Sequence, residues 1–328
     1  MGQIHDCAES ERSHESGAVS VTGTVGVAKR QPRRLAIPTG AVPWAFAFPL
    51  LLFVLAVFVI PVADLIKESL QLPATAFTPA KWVGLRNFQL AWSDPLFRSA
   101  LLHNATLFLC VPILIALSAL LAALLFERVR FWKLHRIMIF IPYVLAVPVI
   151  GVVMGVLLQY NGVANTVLRD VGLSSLAADW LGSPAWALKT LMAIIIWKEL
   201  GFGVMLFLAR LLSVDEHLFE AARVDGAGWW RTFRHVTLPQ LVPTIAFYAV
   251  VETITMLSWV FAYVYVLTGG GPENATNVTE YYIYQNVFTA NALGVGAAAG
   301  VILLGLVGVI IVLRLLLIRR FDFNAITD

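Results

Sequence analysis

The chain has 328 residues, of which 59% are hydrophobic and only 13% charged, with a formal net charge of +3 and a mean hydropathy of +0.80. A soluble domain averages roughly 45–50% apolar and about 25% charged, so this composition excludes a soluble globular enzyme, a disordered protein and a coiled coil, and the small charge argues against a nucleic-acid partner. In chain order, residues 1–35 are polar, contain no apolar stretch of the kind a secretory signal needs, and are expected to be a disordered tail that stays in the cytoplasm. Residues 36–328 are expected to form one transmembrane domain. A span needs about 20 mostly apolar residues. The runs Ala41–Ala63, Asn104–Phe126, Ile137–Leu158 and Ala292–Leu313 carry no charge; Thr190–Ala209 is broken by Lys198 and Glu199, and Leu241–Leu267 by Glu252. The expectation is an all-α membrane protein of six spans.

Sixteen of the 23 Lys and Arg residues flank these runs on one side and six on the other, with Lys198 inside the fourth run. Positive charge accumulates on the cytoplasmic side, which predicts that both termini are cytoplasmic. Cys7 and Cys110 lie in the polar tail and inside an apolar run, so no disulfide is expected, and the six histidines form no metal-ligand cluster. Gly296 and Gly300 in the sixth run make a small-xxx-small pair suited to close helix packing, read first as packing within the chain.

The most informative segment is the loop 213–240 between the fourth and fifth spans, predicted on the cytoplasmic side. Ser213 followed by Glu216 has the spacing of a capping box, and Gly226 after Asp225 supplies a stop. Between them a short helix carries an apolar strip of Leu218, Phe219 and Ala222. Trp229, Trp230 and Phe233, interleaved with Arg231 and Arg234, suit a membrane interface.

Within this loop Glu220-Ala221-Ala222 is followed after three residues by Gly226, after nine more by Val236, and then by Leu238-Pro239. This resembles the EAA motif of the membrane subunits of binding-protein-dependent ABC importers, with Val236 standing where isoleucine is usual. Asn104 and Thr106, Gly162 and Asn165, Trp197-Lys198, and Leu267-Thr-Gly-Gly-Gly-Pro272 with Thr276 look like the carbohydrate-uptake branch of that family, and Tyr281, Tyr284 and Phe288 continue the pattern. The resemblance covers about residues 40–325. It implies the type I importer permease fold in a bacterial inner membrane and uptake of a sugar or sugar derivative. It further implies that the helix holding Glu220, Ala221, Ala222, Asp225 and Gly226, with Leu238-Pro239 behind it, couples to an ATPase. The implied partners are a cytoplasmic ABC ATPase dimer, a second homologous permease subunit in a heterodimer, and an extracytoplasmic binding protein. The chain has no G-x-x-x-x-G-K-[ST] segment, so it is expected to bind no cofactor and perform no catalysis, with ATP and Mg2+ held by the partner ATPase.

Charges in a membrane are costly and should face a cavity or a partner. Lys198 is expected to pair with Glu199 or with Glu252, as packing or as a gate. Trp259, Tyr263 and Tyr284 are candidates to line a substrate path, as are Tyr265, Tyr281 and Asn286; they equally suit an interfacial aromatic belt. A permease for a non-sugar solute is an alternative. An ion-coupled secondary transporter would leave the loop motif unexplained, and an intramembrane hydrolase would need a nucleophile beside a base, for which only His103 lies near a span.

Overall fold

The computed structural model describes residues 42–74, 78–127 and 130–320, with the side chains of 42–46 and 314–320 left undescribed. The predicted tail therefore lies outside the described residues. Helices Ala47–Ser69, Pro95–Phe126, Pro184–Leu211, Trp229–Ser258 and Leu293–Leu313 are each long and apolar enough to cross a bilayer. Trp132–Val144 and Val147–Leu157 make a sixth crossing if taken as one span, bent by 102° at Leu145 and Ala146.

The ends differ from those that hydropathy suggests, for local reasons. The second span starts at Pro95, well before Asn104, because the Asp94 carboxylate accepts from the amide of Leu96 at 2.8 Å and Pro95 occupies the first turn, where its missing N–H is no loss. The third is broken ahead of Pro148, which has no N–H to give the carbonyl of Val144 and whose ring would crowd it, so a new helix starts with Pro148 in its first turn and Leu145 and Ala146 are extended before it. The expected fifth span, Leu241–Leu267, is interrupted at Trp259, beyond which a short helix, Val260–Leu267, begins anew.

The core lies among spans two, four and five. Leu107, Leu114, Leu191, Phe207, Tyr248 and Met256 are each fully enclosed. In a bilayer, packing of helices rests on close approach and van der Waals contact rather than on water exclusion, and span four supplies that approach through glycine. A Cβ on Gly201 would lie 2.6 Å from the carbonyl oxygen of Ile139, and one on Gly203 would collide with Ser118 and Tyr248. Gly296 and Gly300 likewise face Val287, Ile283 and Leu65 of the same chain, so that pair is used for packing within the molecule. The outer faces of several spans stay apolar and uncovered, with Val152, Phe247 and Val309 all more than half exposed. Such a surface is compatible only with lipid or with apolar partners.

Candidate functional site

The loop motif is built on a rigid turn out of span four. Ser213 Oγ donates to the carbonyl of Arg210 at 2.7 Å and accepts from its guanidinium at 3.3 Å, so this hydroxyl is occupied and the expected capping box does not form. Asp215 is the cap instead. Its backbone is extended (φ −60°, ψ 123°) and its carboxylate accepts from the amide of His217 at 3.0 Å, a charge-assisted bond at the positive end of the helix. The helix Glu216–Val224 ends as expected at Gly226, whose φ of +70° lets its amide reach the carbonyl of Arg223 (3.0 Å) while that of Ala227 reaches Ala222 (2.9 Å). This is a Schellman closure, which favours glycine.

Of the expected apolar strip only Phe219 is enclosed, its ring centroid 4.9 Å from that of Phe126 at the end of span two. Leu218 is 45% exposed and Ala222 half-buried, while Glu220, Ala221, Val224 and Asp225 face solvent. Phe219 is thus the one buried side chain of the helix, with Ala222 half-buried beside it and most of the remaining surface open. Glu220 lies 3.1 Å from His217 Nδ1, and this bond, helped by the nearby acids, holds the His217 imidazole above its ordinary pKa.

Beyond Gly226 the chain is helical again almost at once. Trp229 and Phe233 stack with centroids 5.4 Å apart and planes 6° from parallel, and a π-turn over Phe233–Thr237 runs directly into the fifth-span helix, Leu238–Ser258. The amide of Leu238 reaches the carbonyl of Phe233. Pro239 lacks an N–H and its ring crowds the carbonyl four residues back, the usual reason for a local widening of the helix. Leu238 and Pro239 therefore sit apart from the motif helix, at the head of span five.

The membrane charges meet in a cavity of about 790 Å³ walled by Phe140, Tyr143, Lys198, Glu199, Trp259 and Tyr263. Lys198 Nζ is 3.4 Å from Glu199 Oε1, donates to the carbonyl of Tyr143 at 3.3 Å and lies 5.2 Å from that tyrosine's ring centroid. Tyr263 donates its hydroxyl to the same Glu199 oxygen at 2.6 Å. Of the two pairings left open by the sequence, Lys198–Glu199 is the one formed. Glu252 is enclosed in span five and does not line this cavity, although it lies within electrostatic reach of both Lys198 and Glu199. Tyr284 is elsewhere too, in a row of rings with Phe261, Tyr265, Tyr281 and Phe288. Phe140 and Tyr143 are cavity residues that the sequence does not single out; Pro148 is the sequence signal that the third span breaks just beyond them. Aromatic walls around one ammonium–carboxylate pair suit a hydroxylated ring, which offers C–H faces to the former and hydroxyls to the latter.

The scattered sequence signatures are joints of the framework. Asn104 Nδ2 donates to both Glu280 carboxylate oxygens at 3.2 Å and its Oδ1 accepts from the amide of Thr279 at 2.8 Å, tying span two to the segment before span six. Asn165 donates to the carbonyls of Ala178 (2.7 Å) and Tyr160 (3.0 Å) and accepts from Trp180 Nε1 at 2.9 Å. Thr276 bridges the carbonyl of Gly271 and the hydroxyl of Thr268, closing the loop in which Gly269 and Gly270 have positive φ and Gly271–Pro272 is cis. Among the described residues no three His, Cys, Asp or Glu side chains converge as a metal site.

Comparison with known proteins agrees with this arrangement. The chain is 34% identical over 271 residues to the probable ABC transporter permease protein YurN of Bacillus subtilis, covering 80% of this chain and 91% of the relative. It is also 34% identical over 271 residues to the sulfoquinovosyl glycerol transport system permease protein SmoG of Agrobacterium fabrum, covering 81% and 86%. A chain of a bacterial ABC transporter that imports the acidic polysaccharide alginate superposes with a TM-score of 0.74 at 26% identity, over 86% of this chain and 96% of that one. Residues 90–322 match the family described as the inner membrane component of binding-protein-dependent transport systems, and to that family of multi-pass ABC importer permeases this chain belongs.

Proposed function

We propose that the chain is a permease subunit of an ATP-driven importer for a sugar or sugar derivative, with both termini and the 213–240 loop cytoplasmic. The observation that carries the reading is the helix Glu216–Val224: Phe219 is its one buried side chain, its end is fixed by Gly226, and it leaves Glu220, Ala221 and Asp225 open to a partner. That partner is a cytoplasmic ABC ATPase dimer, which holds ATP and Mg2+ and performs the hydrolysis, so that this chain is not itself catalytic. A second, homologous permease completes the pathway, and a binding protein delivers the solute from outside. An alginate importer has been seen with its periplasmic binding protein loaded with a pentasaccharide, and relatives named for lactose and for trehalose and maltose transport support the sugar class. The solute would pass the cavity at Lys198, Glu199, Trp259 and Tyr263, with Glu252 and Tyr284 acting from outside its wall.

The test is to purify the tagged chain from membranes in mild detergent, identify what accompanies it, and reconstitute the complex. Recovery of an ATPase and a second permease, with sugar uptake that stops without ATP, is the expected result. A chain that purifies alone and moves a solute or ion without ATP overturns the proposal.

A further inference from the structure

A second groove, of about 420 Å³, lies at the end of the bundle where the third and fourth spans are joined, lined by Met154, Trp180, Trp186, Lys189, Ile194 and Trp197. It is preformed. Trp180 is held by its indole bond to Asn165, and Trp186 stands edge-on to it with centroids 5.6 Å apart at 68°. The walls are almost wholly apolar, so a hydroxylated solute would lose its hydration there without gaining hydrogen bonds. The polar exceptions are Thr190, which is buried, and Lys189, which is exposed with Nζ 5.1 Å from the Trp186 ring centroid and outside the ion pairs formed among the described residues.

The spacing along span four gives the groove a depth. Span four begins at Pro184, which puts Lys189 about 8 Å along the helix and Trp197 about 12 Å further at 1.5 Å per residue. The groove therefore runs from the interfacial zone, where tryptophan and lysine are at home, into one leaflet of a hydrocarbon layer roughly 30 Å thick. A ligand that fits must carry an anion at one end and hydrocarbon at the other, in that order from the membrane surface inward. We propose that this groove binds an anionic phospholipid, with its phosphate at Lys189 and one acyl chain along Ile194 and Trp197. The proposal rests on the membrane placement of the chain alone and is independent of the transported solute.

The experiment is native mass spectrometry of the purified, delipidated transporter complex, titrated with phosphatidylglycerol or with phosphatidylcholine. Two variants are compared with the wild type: Lys189→Gln, which removes only the charge, and Ala193→Trp, which fills the groove from an exposed position on its wall. The wild-type complex should hold phosphatidylglycerol more tightly than phosphatidylcholine. Lys189→Gln should weaken phosphatidylglycerol about fivefold, the factor expected for one basic residue at a membrane surface, and leave phosphatidylcholine unchanged, whereas Ala193→Trp should weaken both. Equal affinities for the two lipids in the wild type, or equal phosphatidylglycerol binding in all three proteins, would overturn the proposal. So would efficient cross-linking of an Ala193→Cys variant to the partner permease, since protein would then cover the groove.

Discussion

Replacing Phe219 by alanine tests whether the motif helix is held by a single anchor. Phe219 is 5% exposed and rests on Phe126, and truncating an enclosed phenylalanine costs about 3–5 kcal/mol. Cavities of about 270 and 290 Å³ border the ring, so neighbours have room to relax and the lower end, about 3 kcal/mol, applies. That energy is local to the contact between the helix and span two, where it shifts the balance towards an undocked helix by roughly a hundredfold. The bundle itself, whose core lies deeper, should still insert and assemble. In the reconstituted complex the variant should keep at least half its ATP hydrolysis while uptake per ATP falls tenfold or more, and Phe219→Leu should recover most of the loss. Unchanged uptake per ATP in Phe219→Ala would refute the single-anchor account and assign the docking to the backbone turns at Asp215 and Gly226.

Gly226→Ala places a Cβ in a left-handed conformation at a cost of about 1–2 kcal/mol and should lower coupled uptake several-fold. Gly226→Pro, whose ring requires φ near −65°, should abolish uptake without loss of membrane insertion, as judged by the yield of intact complex. Asn165→Ala should lower the thermal stability of the purified complex by about 1–3 kcal/mol, because it leaves Trp180 Nε1 and the carbonyl of Ala178 without the Asn165 side chain, while the carbonyl of Tyr160 keeps its bond from Arg169; an unchanged melting temperature would contradict that. Lys198→Met strands the Glu199 carboxylate and should destabilise by several kcal/mol, while Lys198→Met with Glu199→Gln should recover stability, and a remaining rise in the KM for uptake would separate a solute contact from mere packing. The His217 pair with Glu220 should be fully formed below pH 6.5 and weaken as pH rises through the raised imidazole pKa. A proton NMR titration of His217 that Glu220→Gln leaves unmoved would exclude the pair.

The five long spans, the apolar run of the bent pair and the loop motif are legible in the sequence because each is written in one dimension: a run of apolar residues, or a fixed count from Glu220 to Pro239. What escaped depends on competition between neighbours. Ser213 and Asp215 both have the side chain of a cap, and only the three-dimensional turn shows that Arg210 occupies the serine hydroxyl and leaves the aspartate free to cap. Of the apolar strip of the motif helix only Phe219 is buried, because burial depends on which neighbour each side chain meets and not on its own polarity. Hydropathy reads the third span as continuous, since Leu145 and Ala146 are as apolar as their neighbours, and the bend that follows Phe140 and Tyr143 is a backbone effect of Pro148. The sequence leaves Glu199 and Glu252 both open as partners of Lys198, and only the structure selects Glu199, whereas Glu252 and Tyr284 line no wall with them, because separation along different helices carries no information about facing.

The uninterrupted run from Trp229 to Ser258 has a consequence for how the family's motif counts residues. A helix is a screw, so the nine residues between Gly226 and Val236 set an angular phase as well as a length. Adding or removing one residue there would turn everything beyond by about 100°, swinging Leu241 and Tyr248 off the core and their polar neighbours into it. The π-turn at Phe233–Thr237 is the one place where a single residue is already absorbed as a widened coil. Substitutions in this stretch are therefore a matter of degree, but a change in its length is a change of gear.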